Sequence, residues 1–335
     1  IVHQGLDIRL AKLIIKIFGK SKRMFLAGLM TISAILSSFL GEHTVIAIML
    51  PIGLSVIKNI DTQQKDGKNA VLLTLFSIAY GTIIGSIGTP SGGARNVIMI
   101  NYLQEFSKVS IDYWEWMKHA YPILMIQLVV AYFVLQFTFP SSLNNIKMRG
   151  FKKNVGKTDV KKNINHLFSC LIIIGIVSSW FAFNDIYGLG IIALAGALAF
   201  MIFGMISWEE INKNTNWGVI LLFAATISLG FQINETEASS WLVLKFNELL
   251  ATLPSNSMNV SWSIMAVLSG LTANFFTSSA TVSLIGPMAI ELHPTDISFA
   301  LSSAIASGFS FLTVISSPTA MIIYSTGLVS TKMFF

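Results

Sequence analysis

Two apolar stretches of this chain are each cut by a short polar tip, and no other feature of the sequence limits the fold as much. Residues 24–57 are apolar through Met24–Leu40, turn polar at Gly41-Glu42-His43-Thr44, and resume through Val45–Ile57. Residues 260–290 repeat the plan, with arms Val260–Phe276 and Val282–Ile290 around Thr277-Ser278-Ser279-Ala280-Thr281. Pro51 and Pro287 each lie ten residues after the start of their tip. A helix needs roughly 20 residues to cross the hydrocarbon core of a bilayer. The clearest spans by that measure are 71–88, 120–139, 167–183, 187–206 and 217–231. The two interrupted stretches predict re-entrant hairpins instead.

Composition makes lipid the solvent. Hydrophobic residues fill 53% of the 335 positions and charged ones 11%, a balance foreign to soluble domains. The expected fold class is an all-α polytopic membrane protein. The chain opens at Ile1-Val2-His3 without an initiator Met and without a cleavable h-region, so no signal peptide is expected and the start of the protein is expected to be missing. The single cysteine, Cys170, excludes a disulfide or thiolate metal site.

The basic residues set a topology. If 9–23, 58–69, 140–166, 207–216 and 329–335 share one side, that side holds 18 of the 22 Lys and Arg residues. The other side holds only Lys108, Lys118 and Lys245, and Arg95 falls between two apolar arms. The positive-inside rule then puts the basic loop 140–166 in the cytoplasm of a cell whose inner membrane the chain crosses. It also accounts for the net charge of +6 without a nucleic-acid partner. This topology requires both interrupted stretches to turn back inside the membrane.

Two further spans are broken in the same paired manner. Thr74–Gly88 runs into Thr89-Pro90-Ser91-Gly92-Gly93-Ala94-Arg95-Asn96, and 296–314 runs into Ile315-Ser316-Ser317-Pro318-Thr319. Proline and glycine interrupt the helices there, and non-helical backbone at membrane depth persists only when buried or lining a cavity. Paired interruptions in two halves predict an inverted repeat with a site near the midplane. Helix N-termini converging on that site favour an anion.

The run Ser77–Asn96, with Gly-Thr-Pro at 88–90, resembles the divalent anion/sodium symporter family. Phe39–Ile52 and Phe276–Ile290 resemble that family's two hairpins, and Trp217–Phe223 resembles a span of its second half. The resemblance implies an elevator-type transporter that is homodimeric through a scaffold, in contact with membrane lipid, with about its first four spans and its last one outside this chain. The implied division is an interfacial arm helix (1–23), a first transport half (24–139, with hairpin 24–60, broken helix 71–103 and span 120–139) and the loop 140–166. Scaffold spans with a second arm helix (167–252) and a second transport half (253–335, with hairpin 260–290 and broken helix 296–328) complete it.

Carried over by position, the resemblance implies substrate contacts at Glu42, His43, Thr44, Gly93, Arg95, Asn96, Ser278, Ser279, Ser317, Pro318 and Thr319. It implies cation contacts at Ser37, Gly41, Glu42, His43, Gly92, Thr277, Ser278, Ser316 and Ser317. The implied cargo is a small anion, a C4-dicarboxylate first and sulfate or another divalent oxyanion next. The coupling ion is sodium, at one site rather than two, or a proton. Sodium/proton exchange or arsenite export, known in a distant branch of the superfamily, is the alternative.

Departures from the family pattern fall at the tips. Asparagines of the family's hairpin motifs are replaced by Glu42 and Ser278. Ionisable groups inside a membrane segment are functional candidates by default, and two readings of Glu42 with His43 stand open: a proton relay or cation site, and a structural tip. For Arg95 three stand open: a fork clamping an anion, a counter-ion to Glu42, and a side chain snorkelling to the interface.

Enzyme chemistry finds no support. The sequence has no His-Glu-x-x-His, Gly-x-Gly-Asp or Gly-x-Ser-x-Gly, and Ser91 has no nearby histidine to serve as base. A channel would not require the paired hairpins and breaks. Tyr113, Trp114, Trp116, Trp208 and Trp217, at span ends, read as interfacial aromatics.

Overall fold

The computed structural model describes residues 22–58, 60, 65–141, 164–215, 217–251, 258–294 and 296–334. The first arm helix and nearly all of the basic loop lie outside the described residues. Every long element among the described residues is helical. In chain order these are α1 (Lys22–Leu40), α2 (Glu42–Ile57), α3 (Lys65–Gly85), α4 (Ala94–Phe106), α5 (Tyr113–Thr138) and α6 (Ile164–Ile202). They continue with α7 (Trp208–Asn214), α8 (Trp217–Glu235), α9 (Ala238–Ala251), α10 (Met258–Phe275), α11 (Ser278–Leu292), α12 (Ile297–Ala306) and α13 (Pro318–Ser325).

Each interrupted stretch forms two helices joined by a short turn, α1–α2 and α10–α11, and each broken span has two helical parts, α3 with α4 and α12 with α13. The turns are tighter than the polar tips suggested. Only Gly41 separates α1 from α2, so Glu42, His43 and Thr44 form the first turn of α2. Gly41 has φ 75° and ψ 157°, a backbone state that glycine adopts without steric cost. Phe276 and Thr277 alone separate α10 from α11.

Among the described residues three helices, Arg23–Leu40, Lys65–Gly85 and Tyr113–Thr138, are long and apolar enough to cross a membrane. The expected spans 167–183 and 187–206 form one long element, α6, interrupted at Gly188 (φ 71°, ψ 163°) and not at 184–186. The positive φ supplies the reason, since the chain turns where glycine allows it. Its apolar parts, Leu171–Phe183 and Ile186–Ile202, are each shorter than α3.

The packing pairs each hairpin with its own broken helix. α1 lies along α3, and α10 along α12, while α2 and α11 pack on the same partners as their hairpin mates. The second arms also reach across, α2 to α13 and α11 to α4. The closest crossing is α1 on α3. A Cβ on Gly81 or Gly85 would run into the Met30 and Ala34 backbone respectively, so these two glycines let the helix backbones touch. Around the crossing lies a core of Phe25, Leu26, Leu29, Leu75, Phe76 and Ala79, all fully buried. A second core, built on Met99, Tyr102, Trp116 and Leu301, joins α4, α5 and α12.

Two of the expected interfacial aromatics are interior. Trp116 is buried and donates to the Ile87 carbonyl (2.9 Å), and Tyr113 is buried beside it. Both sit on the face of α5 that meets the first helix break, where unpaired backbone carbonyls need donors. Trp114, Trp208 and Trp217 are exposed.

Candidate functional site

Each hairpin tip is stitched to the break it faces, in matching fashion. Ser38 Oγ donates to the Gly85 carbonyl (2.9 Å), and Thr89 Oγ1 donates back to the Ser38 carbonyl. In the second half Asn274 Nδ2 donates to the Phe309 carbonyl (2.9 Å), and Thr313 Oγ1 donates to the Asn274 carbonyl (2.6 Å). Asn274 Oδ1 also accepts from the Leu312 N–H (2.8 Å). These side chains satisfy backbone groups that the broken helices leave without partners. Asn96 serves the same end, donating to the carbonyls of Ser86 (2.9 Å) and Thr89 (2.7 Å).

The tips and breaks enclose a cavity of about 470 Å³. Of the expected site residues, Gly41, Glu42, His43, Thr44, Gly92, Gly93, Arg95, Thr277, Ser278, Ser279 and Pro318 line it. Asn96, Ser37, Ser316, Ser317 and Thr319 do not. Asn96 is spent on the break, and Ser316 Oγ donates to the carbonyls of Ser310 (2.9 Å) and Thr313 (2.7 Å). Ser317 caps α13 by accepting from the Ala320 N–H (3.1 Å). Ser37 Oγ and Thr319 Oγ1 are buried without a hydrogen-bond partner among the described residues. Leu40, Ala94, Met321 and Ile322 add an apolar wall.

Arg95 and Glu42 are the only charged side chains buried among the described residues, at 1% and 7% exposure. That burial removes the snorkelling arrangement. Arg95 Nη1 donates to Glu42 Oε1 (3.1 Å) and to Ser278 Oγ (3.0 Å), and Nη2 donates to Ser86 Oγ (2.6 Å). Ser86 Oγ in turn donates to Glu42 Oε1 (2.8 Å). One guanidinium thus joins both hairpin tips to the first break. His43 is exposed on the cavity and makes no described hydrogen bond to Glu42.

The helix starts around the cavity differ between the halves. α11 and α13 cap themselves, Thr277 accepting from the Ala280 N–H (3.2 Å) and Ser317 from that of Ala320. α2 and α4 begin after Gly41 and Gly93, which have no side chain to offer. The N–H groups at these two starts remain without a side-chain acceptor, beside Arg95. An anion is the ligand such an arrangement accommodates.

Sequence reasoning missed Ser86, which touches both members of the ion pair. Its signal was faint: one hydroxyl in the apolar run before the break. Tyr113 was also misplaced; its Oη donates to Thr89 Oγ1 (2.8 Å) and lies 2.7 Å from Ser91 Oγ. Among the described residues no group of three or more His, Cys, Asp or Glu side chains is placed to hold a metal. The carbonyls of Ser86, Ser38 and Ser37 crowd Gly92, at 2.7, 2.8 and 3.1 Å from the position a Cβ would take, so only glycine fits there.

A family model described as "Citrate transporter" matches residues 1–308. An uncharacterised transporter of Haemophilus influenzae is 23% identical over 320 residues, spanning 90% of this chain and 66% of its own length. A sodium-dependent high-affinity dicarboxylate transporter 3 of Caenorhabditis elegans is 23% identical, spanning 96% of this chain and 65% of its own. The sodium-dependent dicarboxylate transporter SdcS of Staphylococcus saprophyticus is 22% identical over 98% of this chain and 68% of its own. The chain spans about two thirds of the length of these relatives.

Proposed function

The chain belongs to the citrate transporter family, and from that premise we propose that it carries a small divalent anion, a C4-dicarboxylate first, across the inner membrane by cation-coupled secondary transport. The observation that carries the reading is the cavity itself. The two uncapped helix starts and the Arg95 guanidinium border it, together with the hydroxyls of the second tip. Arg95 uses three of the five N–H donors a guanidinium offers, and its buried positive charge borders the cavity. The apolar wall of Met321, Ile322 and Leu40 suits a short carbon chain between two acid groups.

The coupling ion is sodium in this reading, supported by the sodium-dependent relatives, and a buried Glu42 keeps proton coupling as the second choice. The matched stitches at Ser38 and Asn274 support two halves related as an inverted repeat. An elevator movement of the hairpin and broken-helix unit against α6 and α8, with α6 and α8 as the homodimer scaffold, completes the proposal. Residues 1–23 and 167–252 are then arm and scaffold segments, and 24–139 and 253–335 the moving halves.

The test is uptake by the intact protein in proteoliposomes, with labelled succinate, sulfate and sodium followed under separate sodium and pH gradients. Succinate uptake driven by an inward sodium gradient is the expected result. Sodium exchanging for protons, with neither anion moving under any gradient, would sink the reading in favour of an antiporter.

A further inference from the structure

The guanidinium of Arg95 makes only one kind of contact: its described hydrogen bonds all go to hard oxygens. They are the Glu42 carboxylate at the first tip, the Ser278 hydroxyl at the second, and the Ser86 hydroxyl at the first break. Three chain segments far apart in sequence thus converge on one positive charge. A carboxylate plus hydroxyls is the kind of donor set that holds a hard cation.

The two halves make this placement more specific. Glu42 opens α2 and Ser278 opens α11, so they are equivalent positions of the two hairpins, and a single atom, Arg95 Nη1, is shared between them. Counting from the helix starts, α4 at Ala94 and α13 at Pro318, the position equivalent to Arg95 is Thr319. Its hydroxyl is buried without a partner, so the second half contributes no second charge. One guanidinium serves both tips.

We propose that Arg95 is a tethered cation, filling an oxygen cage that a dissolved monovalent cation would otherwise occupy and holding the two hairpin tips together without one. The cage has capacity to spare, since Glu42 Oε2 has no partner among the described residues. Without the guanidinium, Glu42 would be a buried carboxylate with no counter-charge, a costly state. It would draw a small cation from solution to a site ready with two hydroxyls.

The experiment measures thermal unfolding of the intact protein, Arg95→Ala and Arg95→Ala/Glu42→Ala. Each is purified and tested in choline, sodium and millimolar guanidinium chlorides at equal ionic strength. Arg95→Ala is expected to gain several degrees, saturably, on adding sodium or guanidinium, beyond any response of the intact protein. The double variant, lacking the carboxylate, is expected to lose that added response. The idea is overturned if Arg95→Ala responds no more than the intact protein, if the double variant responds as strongly, or if Arg95→Ala is recovered in none of the salts. The inference rests on the proposed transport only for its physiological use. Failed uptake with these shifts intact would sink the transport reading alone, and normal uptake without them would sink this one alone.

Discussion

Replacing Glu42 by Gln isolates the charge of the buried pair. The amide oxygen can still accept from Ser86 and Arg95, so geometry is kept while the negative charge is lost. At 3.1 Å, two unit charges interact by about 5 kcal/mol at an effective dielectric of about 20. Removing one partner of a buried pair costs roughly 3–5 kcal/mol, because the other charge stays behind uncompensated. We therefore expect Glu42→Gln to lose about 4 kcal/mol of stability. Arg95→Met should lose a similar amount, since it strands the carboxylate. Glu42→Gln/Arg95→Met leaves no charge behind and should lose far less than the sum, with a coupling energy of at least about 2 kcal/mol. Reversible unfolding by SDS in mixed micelles, followed by helicity, reads all three variants on one scale. Additivity of the single losses to within about 0.5 kcal/mol would refute the pairing as the source of the cost.

Two other expectations come from the frame around the site. Gly85→Ala puts a methyl into the Ala34 backbone and should sharply reduce the folded yield, whereas Gly190→Ala, with no atom within 4 Å of the new Cβ, should be silent; folded yield by size-exclusion chromatography in detergent decides between them. Asn274→Leu strands the Phe309 carbonyl and the Leu312 N–H and should cost about 3 kcal/mol, at roughly 1–3 kcal/mol for each stranded group, measured by the same SDS unfolding; a loss under about 1 kcal/mol would count against the stitch.

Much of this architecture was legible because lipid enforces simple rules. An apolar run broken by polar residues must either line a cavity or be buried, and the polar tips at 41–44 and 277–281 located both hairpins that way. The cavity-lining Glu42, Arg95 and Ser278 were legible for the same reason, since charge and hydroxyls are costly at that depth. What a linear reading could not supply was the third dimension. Ser86 looks like any hydroxyl in a helix until the turn of the break brings it against residues 44 and 9 positions away. Trp116 has the sequence context of an interfacial residue, and only the buried Ile87 carbonyl at the break gives its ring nitrogen a reason to be inside. Asn96 and Ser317 belong to the site's neighbourhood, but local backbone demand for a donor or a cap outweighed the cavity.

The α1–α3 crossing, where backbone meets backbone at Gly81 and Gly85, is a joint without clearance. Longer side chains at such a contact can swivel between rotamers and let two helices slip past each other; bare glycine against a carbonyl has no such play. The first hairpin and the first half of its broken helix are therefore welded, not hinged. In the proposed transport cycle, any displacement that opens the cavity to alternate sides of the membrane has to be taken up elsewhere, at contacts made by flexible side chains. The glycines decide which helices must travel together in the proposed movement.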